Sequence, residues 1–150
     1  MSQSPAHLAR KLSSLSPVEW WELIQAQWAL LMAQAIVRRR PIGSLATPTT
    51  IVRPADPGRM PEARRLALAI VRAARFGVFR PQCLVRSVAL SRMLSSHRIE
   101  GAIVRVGVRR AGGEFLAHAW VELAGETLGD VDEHVGSFVP LTNLDVRGQG

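Results

Sequence analysis

The chain has 150 residues, of which 47% are hydrophobic and 21% charged, so it can bury one domain-sized core and is not a disordered chain. Its net charge is +7, and nearly all of the excess is arginine. This surplus fits nucleic acid, an anionic membrane surface, an acidic peptide or an arginine-rich composition alone, so charge by itself selects no function. The chain has one cysteine, which excludes an internal disulfide and suits a reducing compartment.

The first predicted element is a helix that begins at Pro17. Ser16 is placed as the N-cap, Pro17 at the first helical position and Glu19 at the third, which is a capping-box pattern. Apolar residues recur at helical spacing up to Pro41, and three arginines precede that proline; the apolar positions are Trp20, Trp21, Ile24, Trp28, Leu31, Ala35 and Ile36. Two interpretations stay open: the helix covers the core, or it presents an exposed apolar and basic face to a partner.

The sequence predicts neither a signal peptide nor a transmembrane segment. Residues 1–16 contain no apolar run of the kind that forms the centre of a secretory signal. The most apolar stretch, residues 28–37, is too short to cross a bilayer. We therefore expect a cytoplasmic location.

Residues 41–61 contain five prolines and two glycines, which predicts a linker rather than a regular element. A second helix is predicted from residue 61 to about residue 75. A third, amphipathic helix is predicted from Cys83 to about His97, with Gly101 beyond its end.

The hydrophobic period then changes from that of a helix to that of a strand. Strands are predicted over residues 102–109, 114–123 and 127–131, with turns at 111–113 and 124–126. Helices followed by an antiparallel meander indicate the α+β class. We divide the chain into an N-terminal helical segment with its linker, residues 1–60, and a core, residues 61–150.

Cys83 is the first candidate for chemistry, because it is predicted to open a helix. At a helix N-terminus the free N–H groups and the helix dipole favour a thiolate. The same N–H groups can hold the negative charge that develops on an attacked carbonyl oxygen.

His118, in the middle of a predicted strand, and Asp130, on the next strand, are candidates for the base and its orienting carboxylate. A hairpin centred on residue 124 would place them opposite one another, with Cβ atoms about 4.5–5.5 Å apart. This requires a three-residue or bulged turn, since a two-residue turn shifts the register by one. Asp132 has the same strand parity and is the alternative carboxylate.

Three segments resemble the lasso-peptide biosynthesis B protein family, the transglutaminase-like leader peptidases. They are CLVRSVAL at residues 83–90, VRVGVR at 104–109 and HAWVE at 118–122, and the resemblance covers about residues 62–140. It implies a papain/transglutaminase-like core, in which a catalytic Cys at a helix N-terminus packs on an antiparallel sheet. The chain order of Cys83, His118 and Asp130 agrees with that of such enzymes.

The resemblance also implies roles for particular residues. Cys83 would attack the scissile carbonyl, His118 would protonate the leaving amine, and Asp130 would orient His118. Gln82 is a further candidate oxyanion donor, and Arg86 either binds substrate or pairs with a carboxylate. Trp120 is expected to pack beneath the site.

Family members remove the leader from a ribosomally made precursor peptide, so that a cyclase resembling asparagine synthetase can close a macrolactam ring. The segment before residue 60 is too short for a fused leader-recognition domain. The resemblance therefore implies a stand-alone cysteine endopeptidase whose partners are the precursor, a separate leader-recognition protein and the cyclase. No cofactor or metal is expected, because no phosphate-binding glycine loop and no zinc-like Cys or His spacing occurs.

Two other functions remain open at the level of sequence. A transglutaminase-like acyltransferase would use the same three residues and resolve the thioester with an amine instead of water. A non-enzymatic basic module could bind a peptide or nucleic acid, although the aromatic content of 5% offers few stacking surfaces and we predict no nucleic-acid partner.

Overall fold

A computed structural model of the chain describes residues 15–40, 54–130 and 132–141, without the side chains of residues 132 and 133. Within these ranges, three long helices precede a four-stranded antiparallel sheet, which confirms the α+β prediction. The helices are α1 (Pro17–Arg39), α2 (Met60–Phe76, after a 3-10 turn at Pro57–Arg59), α3 (Cys83–Ser96) and the short α4 (Asp132–Val135). The strands are β1 (Ile103–Ala111), β2 (Glu114–Leu123), β3 (Glu126–Leu128) and β4 (Val139–Pro140).

The start of α1 has the predicted capping box. The Ser16 hydroxyl accepts a hydrogen bond from the Glu19 N–H at 3.3 Å, and the Glu19 carboxylate accepts one from the Ser16 N–H at 2.8 Å. The hydrogen bond from the Ser16 backbone is the main reason why the pKa of Glu19 lies below its ordinary value. Two otherwise unpaired N–H groups are thereby satisfied.

The face of α1 that packs against α2 and α3 is not the face that carries the tryptophans. The buried residues of this helix are Glu22, Ala26, Leu30 and Ala33, and the last three are fully buried. Trp21 and Trp28 are 60% and 63% exposed. Small side chains let helix backbones approach closely, which bulky indole rings prevent. The helix therefore braces the core through one face and leaves an aromatic face in solvent.

An ion pair joins α1 to α2 at the edge of this contact. Glu22 is 3% exposed, and its carboxylate accepts a hydrogen bond from Arg65 at 2.7 Å. A second pair joins Glu19 to Arg72 at 3.7 Å. A buried carboxylate is tolerated only when it has such a partner.

The last turn of α3 is a Schellman motif. The Ile99 N–H donates to the Leu94 carbonyl and the Arg98 N–H to the Ser95 carbonyl, both at 2.9 Å. Arg98 holds the left-handed position with φ +58°, whereas Gly101, with φ +88°, lies further on and turns the chain into β1. Buried Ile99 anchors the chain beyond the helix.

The sheet has the strand order β3-β2-β1-β4, and the predicted bounds of β2 are confirmed. The β2–β3 turn has two residues, Ala124 and Gly125, with φ +52° and +80°, and Leu123 pairs with Glu126. The prediction of a three-residue turn, on which the predicted register depended, is therefore wrong, and the pairing of β2 with β3 is shifted by one residue. Positive φ at both central positions is the geometry that matches the twist of two paired strands.

Two ends of the sheet differ from the prediction. β3 stops at Leu128 rather than residue 131, because Gly129 has φ +75° and turns the chain out of the strand. The apolar residues near the C-terminus form β4, in which Val139 pairs with Val108 and Pro140 with Gly107. No local sequence signal predicts this pairing, which joins distant parts of the chain.

The core has two parts, one on each face of the sheet. The main part lies between the helices and the sheet and includes Leu30, Leu66, Leu94 and Val121. The second part is the small cluster of Trp120, Val135 and Phe138. Gly107 is required beneath this cluster, because a Cβ there would lie 2.8 Å from the Trp120 ring and 3.0 Å from the Phe138 Cβ. None of the helices in the described ranges has both the length and the apolar character needed to cross a bilayer.

Candidate active site

Cys83 is the first residue of α3, as the sequence predicts. Gln82 is the N-cap, in an extended conformation, and its side chain makes no capping hydrogen bond. The first helical hydrogen bond runs from the Arg86 N–H to the Gln82 carbonyl at 3.1 Å, so the N–H groups before Arg86 are not used within the helix. The Cys83 thiol is free and half-buried beside these donors.

His118 and Asp130 lie together in spite of the shifted register. The His118 Nε2 lies 2.5 Å from Asp130 Oδ2, and the two side chains are 10% and 17% exposed. Asp130 follows Gly129, where β3 has already ended, so the alternation of a strand no longer determines where its side chain points. Because the Asp130 carboxylate binds Nε2 of His118, Nδ1 is the ring nitrogen that is available for another partner. The side chain of Asp132, the alternative carboxylate, lies outside the described residues.

Three aromatic rings surround His118. The Trp120 ring is stacked at 6.2 Å between centroids, the Phe138 ring lies at 5.2 Å, and the His134 ring contacts it edge-on at 4.9 Å. Packing of this kind restricts the imidazole to one orientation. The sequence predicts no role for His134 or Phe138, because both follow the predicted strands and neither belongs to a recognisable motif.

Trp120 is buried, as expected of a residue that packs beneath the site. Its indole N–H donates to Glu122 at 2.9 Å, and Glu122 also accepts from Arg105 at 3.0 Å. A buried indole N–H normally has such a partner. This short network holds the ring against His118.

Cys83 and Asp130 line the same small cavity, with a volume of about 20 Å³, which is enough for one water-sized group. Arg86 and Trp120 also line it, which places Arg86 at the site. Ala119 and Trp120 point to opposite faces of β2, so the cavity lies at the edge of the sheet, where β3 has ceased to pair. Within the described residues, no hydrogen bond joins the Cys83 thiol to His118.

Gln82 does not line this cavity. It lines a separate open groove, together with residues of α1 and of the segment before α3. The predicted site residues therefore divide into three sets. Four line the cavity, namely Cys83, Arg86, Trp120 and Asp130. His118 does not line it and is connected to it through Asp130, and Gln82 lines the groove.

The arrangement has the parts needed for acyl transfer through a thioester. It contains a thiol at a helix N-terminus, unused backbone N–H groups beside it, and an imidazole oriented by a carboxylate. Hydrolysis and transfer to an amine both require these parts.

Comparison with known proteins places the chain in a family. A model of the transglutaminase-like superfamily matches residues 26–143, which include all of the candidate site. The microcin J25-processing protein McjB of Escherichia coli is 40% identical over 53 residues, which are 35% of this chain and 24% of the relative. The chain thus matches only about a quarter of that relative's length, and no solved structure matches it. The resemblance noted in the sequence is confirmed as a transglutaminase-like core with distant similarity to McjB, and the chain belongs to the transglutaminase-like superfamily.

Proposed function

We propose that this protein is a cysteine endopeptidase that removes the leader from a ribosomally synthesised lasso-peptide precursor. The observation that carries the proposal is the His118–Asp130 hydrogen bond beside the start of α3, where Cys83 lies. The similarity to McjB, whose name describes the processing of microcin J25, supports a precursor peptide as the substrate. An oriented imidazole near a thiol at a helix N-terminus is the minimum requirement for such a nucleophile.

In the first half of the reaction, the thiolate of Cys83 attacks the scissile carbonyl carbon and forms a C–S bond. The Cys83 N–H holds the oxyanion, as unused N–H groups at a helix start can do. His118 gives its proton to the leaving nitrogen as the C–N bond breaks, and the leaving segment departs as an amine. The thioester remains on Cys83.

In the second half, His118 takes a proton from water, and the hydroxide attacks the thioester. The C–S bond breaks, the carboxylic acid is released and Cys83 recovers its thiolate. Asp130 stabilises the imidazolium and holds the ring through Nε2, so that Nδ1 exchanges the protons. We expect bound substrate to bring the thiol and Nδ1 into contact, as catalytic hydrogen bonds often shorten on binding.

The remaining site residues have supporting roles in this proposal. Trp120 holds the imidazole from beneath. Arg86 lines the cavity with Cys83 and can contact the substrate backbone there. Gln82 lines the neighbouring groove, which supports a role in substrate binding.

We propose that the protein acts in the cytosol with a separate leader-recognition protein, followed by an asparagine synthetase-like cyclase that uses the new N-terminus. The exposed aromatic face of α1 supports a partner protein, because contiguous exposed apolar residues commonly mark interaction sites. Its members include Trp21, Ile24 and Trp28.

The experiment is to incubate the protein with a lasso-type precursor encoded beside its gene, with the recognition protein present, and to follow the peptide by mass. We expect a single cut at the leader–core junction, and none with Cys83→Ala. A cut that persists in Cys83→Ala would remove Cys83 as the nucleophile. If the native protein bound the precursor but did not cleave it, the function would be that of a binding module and not of a peptidase.

A second candidate, an acyltransferase, is favoured by membership of the transglutaminase-like superfamily. It differs only in that an amine, not water, attacks the Cys83 thioester. Adding a primary amine to the same reaction distinguishes the two, because aminolysis gives the leader product the mass of an amide and hydrolysis that of an acid.

A further inference from the structure

An open groove of about 610 Å³ lies beside the start of α3 and is separate from the Cys83 cavity. One wall is the C-terminal part of α1, with Leu31, Gln34 and Arg38, and the other is the segment before α3, with Val78, Arg80 and Gln82. A volume of this size is within the usual range for ligand sites.

The groove combines exposed apolar surface with positive charge. Val78 is 79% exposed and Leu31 39%, so the apolar residues of both walls lack cover. Arg38 and Arg80 are exposed, and neither forms an ion pair with a carboxylate whose position the structure describes. The chemistry of the groove therefore suits an apolar segment that also carries carboxylates.

The groove and the Cys83 cavity are separate, but consecutive residues at the start of α3 line them. Gln82 lines the groove, and the next residue, Cys83, lines the cavity that contains Asp130. A polypeptide with its scissile bond at Cys83 would therefore continue past Gln82 into the groove.

We infer that this groove binds the part of the substrate polypeptide adjacent to the scissile bond, and that it selects segments that contain both apolar residues and Asp or Glu. Arg38 and Arg80 recognise the carboxylates, while Leu31 and Val78 cover the apolar side chains. The inference rests on the proposed peptidase function, which places the scissile bond of the substrate at Cys83. The binding preference of the groove can nevertheless be measured without cleavage.

The first test uses the full chain carrying Cys83→Ala and three short fluorescein-labelled peptides. One alternates Leu with Glu, the second Leu with Gln and the third Leu with Lys. We expect fluorescence anisotropy to show the Leu–Glu peptide binding about three- to tenfold more tightly than the Leu–Gln peptide, as two exposed charge contacts would provide. The Leu–Lys peptide should bind most weakly.

The matched variants are Arg80→Glu and Arg92→Glu. Both change the net charge equally, but Arg92 is an exposed residue of α3 that does not line the groove. Arg80→Glu should abolish or reverse the preference, and Arg92→Glu should preserve it. Equal affinity for the three peptides would overturn the inference, because the groove would then have no preference for carboxylates. Equal loss of the preference in both variants would also overturn it, because the preference would then come from net charge. Circular dichroism of each variant verifies the fold.

The second test uses the precursor cleavage reaction with Cys83 intact. Arg80→Glu should raise KM about three- to tenfold with kcat retained, because the lost contacts lie away from the reacting bond. Replacing the acidic residues of the substrate segment next to the scissile bond with Arg should restore KM in this variant. If the peptides bind as expected but Cys83-dependent cleavage is absent, the proposed function fails and the groove stands. If cleavage occurs with an unchanged KM, the groove assignment fails alone.

Discussion

Among the described residues, the imidazole of His118 has one charged partner and three aromatic neighbours. Asp130 binds Nε2, and Trp120, His134 and Phe138 contact the ring. Because the aromatic rings restrict the plane of the imidazole and the carboxylate restricts its tautomer, orientation and proton position are controlled separately. Loss of the carboxylate should therefore affect the chemistry more than the packing.

The first prediction concerns Asp130. Asp130→Ala should lower kcat about 10²- to 10⁴-fold, because the ring loses the carboxylate that sets its tautomer. Steady-state cleavage of the precursor measures this. Asp132→Ala is the control and should retain activity. The opposite result for the two variants would transfer the third catalytic role to Asp132.

The second prediction at this scale concerns Ala124, which has φ +52° in the two-residue turn after β2. Ala124→Gly should raise the free energy of unfolding by about 1 kcal/mol, because a Cβ disfavours left-handed backbone. Chemical denaturation measures it. Ala117→Gly, an exposed position within β2, is the matched control and should lower stability by roughly 0.5–1 kcal/mol. A loss of stability in both variants would mean that the turn is not strained.

At the scale of elements, the helices are joined by two kinds of contact. α1 packs through small residues, and a polar cluster joins the start of α2 to the end of α3. In this cluster Arg59 donates to Glu62 and to the carbonyl of His97, both at 2.8 Å, and the His97 ring contacts Glu62 at 3.2 Å. The other ring nitrogen of His97 contacts Gln25 of α1 at 3.1 Å, so the polar cluster connects the three long helices.

The packing of α1 predicts a large effect on stability at one of its apolar residues and a small effect at another. Leu30→Ala should lower the free energy of unfolding by about 2–5 kcal/mol, because Leu30 is fully buried and a cavity would remain. Trp28→Ala, at a position 63% exposed, should change it by roughly 0.5 kcal/mol or less. Denaturant unfolding of both variants tests the assignment of faces. A larger effect at Trp28 would contradict it.

The Glu62 cluster predicts a dependence of stability on pH. Burial raises the pKa of Glu62, but the hydrogen bonds with His97 and Arg59 outweigh it and hold the pKa below 4.5. A lowered folded-state pKa contributes stability above the unfolded value, and this contribution is lost as pH falls through the folded value. Glu62→Gln should thus be less stable than the native protein near neutral pH, and the difference in melting temperature should shrink below pH 4.5. A difference that stays constant with pH would exclude this electrostatic origin.

At the scale of the whole molecule, α1 covers parts of the helical core that would otherwise face solvent. Leu66, Ile70 and Leu94 are at most 2% exposed and lie in the cluster that includes Leu30 of α1. The family match, residues 26–143, also includes part of this helix. The division of the chain into residues 1–60 and 61–150 stays a prediction, which we retain as a proposal about chain organisation.

The last prediction tests that organisation. A chain that begins at residue 42 should aggregate or melt at a much lower temperature, because removal of α1 exposes the apolar faces of α2 and α3. A chain that begins at Ser16 keeps the N-cap and is the control, which should unfold like the native protein. Sedimentation and thermal melting provide the measurements. A soluble, cooperatively folded chain from residue 42 would show instead that the N-terminal segment is separable.

Features that depend on neighbouring residues could be predicted from the sequence. The cap at Ser16, the placement of Cys83 at a helix start and the bounds of β2 follow from local chemistry and periodicity. The nearness of His118 to Asp130 was also predictable, because a short hairpin keeps the two strands adjacent. The exact register was not, since turns of two and three residues were both compatible with the sequence around residue 124.

The surfaces that pack together could not be read from the sequence. α1 is apolar on several sides, so its sequence did not show that Ala26, Leu30 and Ala33 would pack inward. The contacts of Phe138 and His134 with His118 arise from the return of the chain to pair β4 with β1. Such contacts join residues distant along the chain, and their free energy depends on shape and burial in the assembled core, which no local pattern contains.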